Sequence, residues 1–221
     1  MGQVLLVRHG QADSAGADYD RLIERGFAQC RALGASLARR SIAIDAILSG
    51  GMRRHAESAT ALLEGYSVSL PVVVDHGWDE FDHLQVLSRQ PAGFEGSPPD
   101  ARAFQAWFES AVERWTSGEH DLDYPETFTA FTRRVDDALA AAAARAGCTI
   151  VVTSGGAIGW SAASLTGKDL TAGDRARLWR TYNTVCANTG VTRIVSGRRG
   201  LTMVSFNEQA HLDGTDLLTY R

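Results

Sequence analysis

Lysine is almost missing from this chain. Of its 22 basic residues only Lys168 is a lysine, and the rest are arginine. Arginine offers a planar fork of donors that matches phosphate and carboxylate oxygens, whereas lysine offers a point charge. The bias suits an anion site, and it equally suits a genome that favours arginine. An excess of positive charge is lacking too. The net charge is −4 and the pI about 5.9, which speaks against the basic face that nucleic acids and anionic membranes want. Cysteine is scarce: Cys30, Cys148 and Cys186 stand far apart, odd in number and without a CxxC pair. Neither a disulfide framework nor a zinc site follows, and a reducing cytoplasm is the expected compartment. The N-terminal apolar run, 4–7, is too short for a signal peptide or a membrane span. Gly2 follows Met1, but Leu6 breaks the myristoylation pattern. There is no Walker A loop, no dinucleotide glycine fingerprint and no HExxH. Neither a metal site nor a cofactor is expected.

What is present is an ordinary globular composition, 44% hydrophobic and 22% charged, in a chain of 221 residues. That length buries one substantial core, so a single domain over 1–221 is expected. The run 4–7 reads as a short buried strand and the polar stretch 10–18 as a loop. Leu22, Ile23, Phe27, Cys30, Leu33 and Leu37 recur near helical spacing and predict a helix over 21–40. Further strands are expected at 45–48, 72–74 and 149–153. Ser49-Gly50-Gly51 reads as a turn into a helix that runs to about Leu63. Gly155 and Gly156 open another helix, and 127–145 forms one more. The segments 191–195 and 201–206 pair as a closing hairpin. Alternating strands and helices imply an α/β fold: a three-layer sandwich with a mostly parallel central sheet flanked by helices. Residues from about 84 to 125 break this rhythm. Pro91, Gly93, Gly96, Pro98 and Pro99 precede an aromatic helix with Phe104, Trp107, Phe108 and Trp115. This stretch reads as a helical cap insertion lying over one end of the sheet.

Arg8-His9-Gly10 stands where a buried strand gives way to a loop. Ligands bind at the carboxyl ends of strands in such sheets. A neutral imidazole there can attack phosphorus and form a phosphohistidine. The adjacent guanidinium can hold phosphoryl oxygens, and glycine lets backbone approach a ligand closely. A chance match to this tripeptide in such a chain is roughly a one-in-a-hundred event at average residue usage, so it outweighs the reading of His9 as a core histidine.

The series of motifs resembles the histidine phosphatase superfamily, in its phosphoglycerate-mutase-like branch. Leu6-Val7-Arg8-His9-Gly10 is similar to that family's opening strand-Arg-His-Gly. Leu22-Ile23-Glu24-Arg25-Gly26-Phe27-Ala28-Gln29 resembles its Leu-Thr-x-x-Gly-x-x-Gln helix. The stretch from Gly50 to Ala59 resembles the segment that carries a second phosphate-binding arginine. Glu126-Thr127-Phe128 with Arg134-Val135 resembles the pattern that returns from the cap, and Phe206 to Leu212 resembles a C-terminal strand of some bacterial members. The resemblance implies His9 as nucleophile, with Arg8 and Gly10 at the phosphate. For the second arginine, Arg54 keeps the spacing to Glu57-Ser58-Ala59, whereas Arg53 falls one residue out of register. Successive helical residues point about 100° apart, so one of the two faces a site.

The family's general acid follows the third core strand. Glu80, in Gly77-Trp78-Asp79-Glu80-Phe81-Asp82-His83, is the candidate, with Asp79 and Asp82 competing. Trp78 and Phe81 could raise its pKa by desolvation. One departure stands out. Where the family has His-Gly after the fourth strand, this chain has Ser154-Gly155-Gly156. Gly155 keeps the turn, and the helix start keeps N–H groups for an anion. Ser154 can donate a neutral hydrogen bond but brings no positive charge. His55 and His83 are nearby candidates to replace the lost cation. Ser154 is not a serine-hydrolase nucleophile, because Val152 breaks Gly-x-Ser-x-Gly. Three readings follow: a phosphatase acting on a phosphorylated small molecule, a phosphoglycerate-type mutase, and a phosphate or phosphoprotein binder weakened by Ser154. A homodimer is compatible with the sequence, which leaves oligomeric state open.

Overall fold

The computed structural model describes residues 2–13, 20–91 and 100–220. Residues 14–18 of the loop expected over 10–18, and Gly93, Gly96, Pro98 and Pro99, lie outside the described residues.

Six strands form one sheet: β1 (Gly2–Arg8), β2 (Ala46–Ser49), β3 (Val72–Val74), β4 (Gly147–Thr153), β5 (Val191–Gly197) and β6 (Gly200–Glu208). Their order is β3-β2-β4-β1-β5-β6. The β3–β2, β2–β4 and β4–β1 pairs are parallel, and β5 runs antiparallel to both β1 and β6. Only β5 therefore opposes the common direction, which makes the sheet mostly parallel, as expected. β1 and β4 are inner strands buried on both faces, so each reads as a continuous apolar run rather than as an alternation.

Successive side chains of a strand point to opposite faces. Leu5 and Val7 of β1 pack with Leu33 and Leu37 of α1 (Glu24–Arg39) and with Ala59 and Leu62 of α2 (Arg53–Tyr66). Val4 and Leu6 face the other layer. That layer is built from α5 (Phe128–Ala143) and α6 (Gly155–Thr166), with α4 (Ala101–Thr116) and α7 (Ala172–Val185) packed further out. The short α3 (His83–Ser88) precedes α4.

Local chemistry sets several helix starts. Asp100, Thr127 and Thr171 each accept the N–H of the residue three further on, opening α4, α5 and α7. The residue before α2, Met52, cannot do this. Asp20 caps the helix from outside, accepting the N–H of Arg53 at 2.8 Å. The helix α7 was not foreseen, because it buries only Ala176 and Trp179 and its apolar periodicity is faint.

An aromatic cluster joins the outer helices to the core. Phe131, fully buried, lies within 5.7 Å of Phe81 and Trp115 and 6.3 Å of Phe128 and Trp179, centroid to centroid. Phe81 also stacks on Trp115 at 4.9 Å. Such pairs add directional energy to the burial of large apolar surfaces. Among the described residues no helix is long and apolar enough to cross a membrane. Truncating Phe131→Ala removes the ring on which these four converge. Urea denaturation should show a loss of about 3–5 kcal/mol, and a loss below about 1 kcal/mol would mean that the cluster does not hold these helices.

Candidate active site

The site forms where four parallel strands end. In the β1–β4 ladder Arg8 lies opposite Thr153, and the N–H of His9 continues it, donating to the Thr153 carbonyl at 2.8 Å. His9 and Ser154 therefore leave the sheet side by side. β2 pairs Ser49 with Val152 of β4, so the Gly50-Gly51 turn and the first turn of α2 arrive at the same edge. Beyond β3, a 3-10 turn at His76–Trp78 brings Glu80 to it.

His9 is buried, 4% exposed. Its Nδ1 lies 2.7 Å from the Gly10 carbonyl oxygen, which can only accept. Nδ1 thus carries the hydrogen, and Nε2 is left with a bare lone pair. Burial, followed by the charges of Arg8 and Arg54 and then His55, holds the His9 pKa well below its usual value. The ring is neutral at neutral pH. The backbone carbonyl of His9 is fixed by Asn188 at 3.0 Å.

Arg8 donates through Nη1 to the carbonyls of Cys186 and Tyr220. Its buried Nε has no hydrogen-bond partner among the described residues. Arg54 is 6% exposed, and its Nη1 meets Asp20 at 2.8 Å. Arg53 turns to solvent and pairs with Glu57 at 2.7 Å. Of the two arginines, Arg54 is the buried one. At Gly10 the space of a side chain is taken by Gly26, and its N–H goes to Ser58 at 3.0 Å. The lack of a side chain there accommodates α1.

The three acidic candidates separate cleanly. Asp79 accepts from the N–H of Gly51 and lies 2.9 Å from His76 Nδ1. Asp82 caps α3 through the N–H of Gln85 at 3.0 Å. Glu80 is the one that turns inward: Oε2 accepts the Gly156 N–H at 2.9 Å and Oε1 that of Phe81 at 3.2 Å. Burial raises its pKa above the usual carboxylate value, opposed chiefly by the Gly156 hydrogen bond and by Arg54. Any side chain at 156 would collide with Glu80 Oε1, so glycine there is what admits the acid. Gly155 similarly admits Asn183 of α7, whose Oδ1 would lie 2.6 Å from an added Cβ.

The pair Glu126 and Arg134, met in the sequence as a fragment of motif, secures the loop that bears Glu80. Arg134 grips both carboxylate oxygens of Glu126, at 2.6 and 3.1 Å, and donates to the carbonyls of Gly77 and Asp79 at 3.1 and 2.7 Å. Bidentate pairs of this kind fix geometry as well as charge. The cysteines contribute no nucleophile: burial pushes the thiols of Cys30, Cys148 and Cys186 up to about 11.

Ser154 is 1% exposed, and its Oγ lies 2.7 Å from Nε2 of His55. His55 is fully buried, with its ring centroid 5.7 Å from that of His9. His83 instead begins α3. The residues that position the site without a sequence signal are Asn188, Asn183 and the C-terminal backbone. Gln29, from the family-like helix, binds the N–H of Gln11 at 2.8 Å, the Leu217 carbonyl at 2.6 Å and Thr219 Oγ1 at 2.7 Å. A cavity of about 640 Å³ opens beside Phe81, between α4 and α7, with Phe108, Val112, Trp179, Arg180 and Asn183 in its wall.

The family model for the histidine phosphatase superfamily (branch 1) matches residues 4–209. Comparison with curated protein sequences returns no match. Solved structures share the fold. A phosphoserine phosphatase mutant from Entamoeba histolytica, in complex with phosphoserine, superposes with a TM-score of 0.68 at 17% identity, covering 96% of this chain and 100% of its own. A phosphoglycerate mutase from Bacillus anthracis str. Sterne gives 0.64 at 17%, covering 95% and 94%. The alpha-ribazole phosphatase from Shigella flexneri gives 0.61 at 20%, covering 94% and 96%.

Burial, followed by the charge of Arg54, lowers the His55 pKa to about 3. The unfolded chain takes up a proton at this residue below about 6.5 and the folded chain does not. The stabilisation is complete above about pH 6.5 and is lost as pH falls from there towards about 3. His55→Gln should flatten the fall in unfolding free energy below pH 6 by up to about 1.4 kcal/mol per pH unit. Equal slopes for the two proteins in urea denaturation would place the His55 pKa near its ordinary value.

Proposed function

The chain belongs to the histidine phosphatase superfamily, branch 1, and on that premise we propose that it hydrolyses phosphomonoesters through a phosphohistidine on His9. The observation that carries the reading is the bare Nε2 of a neutral, buried His9, fixed by the Nδ1 hydrogen bond to Gly10. A nucleophile needs a free lone pair, and this tautomer supplies it.

In the proposed first step the Nε2 lone pair attacks phosphorus and the bond from phosphorus to the ester oxygen breaks. Glu80, which burial inclines to hold its proton, gives that proton to the departing oxygen. Arg8 and Arg54 hold the phosphoryl oxygens, with the Nε of Arg8, unpartnered among the described residues, available to one of them. In the second step water attacks phosphorus, its proton passes to the Glu80 carboxylate, and the bond from phosphorus to Nε2 breaks. Inorganic phosphate leaves and both residues return to their starting forms.

The substrate is taken to be a phosphorylated small molecule, selected by the cap assigned to about 84–125. The aromatic walls of the cavity beside Phe81 suit an alcohol with an apolar body.

Two variants test the assignment. His9→Ala should lower kcat on p-nitrophenyl phosphate by about 10⁴-fold or more. Glu80→Gln should cost about 10²–10⁴-fold on an alkyl phosphate, whose poor leaving group needs the proton, and far less on p-nitrophenyl phosphate. Turnover unchanged in His9→Ala would end the proposal. Isomerisation of phosphoglycerates without release of phosphate would put the mutase in its place.

A further inference from the structure

The serine at 154 raises the question of what replaces the expected histidine, and the answer lies on a different element. His55 belongs to the first turn of α2, and its fully buried ring stands between the Gly50 turn and Ser154. Any side chain at Gly50 would collide with Nδ1 of this ring, so the turn leaves room for an imidazole. Nε2 lies 2.7 Å from Ser154 Oγ, and Nδ1 has no hydrogen-bond partner among the described residues.

Those two facts select a tautomer. A buried N–H without an acceptor is rarer and costlier than an acceptor without a donor. The hydrogen therefore belongs on Nε2, which donates to Ser154 Oγ. The serine oxygen is then satisfied as an acceptor, and its own hydrogen must point elsewhere. Nor does its oxygen accept an N–H of α6, so among the described residues His55 is the one hydrogen-bond partner of Ser154 Oγ. What lies beside it is His9, whose ring is 5.7 Å from that of His55 and whose N–H is bonded to the residue before Ser154.

We propose that His55, by donating to Ser154 Oγ, turns the Ser154 hydroxyl towards the phosphoryl group, so that a histidine from α2 acting through a serine performs the work of the absent histidine at 154. The proposal rests on the phosphatase reading of His9. His55 is a positioning residue here, and Ser154 is the group that meets the phosphoryl oxygen. The pair supplies an oriented neutral donor where the family pattern has a cation.

The test compares wild type with His55→Leu, His55→Gln, Ser154→Ala and the double variant His55→Leu/Ser154→Ala. Orthovanadate affinity and kcat/KM on p-nitrophenyl phosphate are measured, with urea midpoints as the check on folding. Removing one oriented donor typically costs on the order of 10²-fold. His55→Leu and Ser154→Ala should each show a loss of about that size, and the double variant should lose no more than either. Glutamine can offer its amide N–H where Nε2 stands, so His55→Gln should stay within about tenfold of wild type. Nitrogen-15 NMR of the ring should report hydrogen on Nε2. Hydrogen on Nδ1, losses that multiply in the double variant, or wild-type kinetics in His55→Leu would each overturn the proposal while leaving His9 turnover intact. Should His55→Leu fail to fold, Ser154→Ala and His55→Gln carry the same comparison: Ser154→Ala at wild-type rates, or His55→Gln as impaired as Ser154→Ala, overturns it. Absence of both turnover and vanadate binding in wild type would instead overturn the phosphatase reading and this proposal with it.

Discussion

The register between β1 and β4 is the constraint from which the site follows. Arg8 lies opposite Thr153, and one further hydrogen bond, from the N–H of His9 to Thr153, carries the ladder past the end of both strands. His9 and Ser154 are level because the strands are level. β2 extends the register on the other side of β4, so α2 delivers Arg54 and His55 to the same edge. A slip of one residue would turn the alternate side chains of β1 to the wrong faces. Leu5 and Val7 would leave the α1–α2 layer, and so the packing that holds the sheet together also holds the site in alignment.

Electrostatics at this edge sort the groups by what burial allows. Burial is the larger force on the imidazoles, and the charges of Arg8 and Arg54 add to it at His9, as that of Arg54 does at His55. His9 and His55 respond by staying neutral. Glu80 sits near the same guanidiniums, but burial dominates and raises its pKa. On the proposed reading, a neutral nucleophile, two cations and a carboxyl group inclined to hold its proton are what an incoming phosphate dianion requires. The loop bearing Glu80 is itself held by Arg134 on Glu126, which ties the acid to the start of α5.

Much of this was legible in the sequence. All six strands and the α1, α2, α5 and α6 helices lie within a few residues of their expected places, because buried parallel strands leave apolar runs and long amphipathic helices leave periodic ones. β6 extends further than expected on its C-terminal side, to Glu208. The helix α7 escaped because two buried residues make no period, although Thr171 with Asp174 three residues on was a usable start signal. The contact between His55 and Ser154 was not legible, since 99 residues separate them and only the sheet brings them together. The roles of Asn188 and of the backbone at Leu217 and Tyr220 were equally hidden, because a carbonyl or an amide used for positioning leaves no pattern in composition or period.

The central claim is covalent, and it is tested most directly by locating the phosphoryl group in mid-reaction. The protein is mixed with a small phosphomonoester, quenched within milliseconds at alkaline pH, digested and analysed by mass spectrometry. The account predicts an acid-labile phosphoryl group on the imidazole of His9. Phosphate found as an acid-stable ester on Ser154, or turnover with no phosphorylated His9 at any time point, would contradict it.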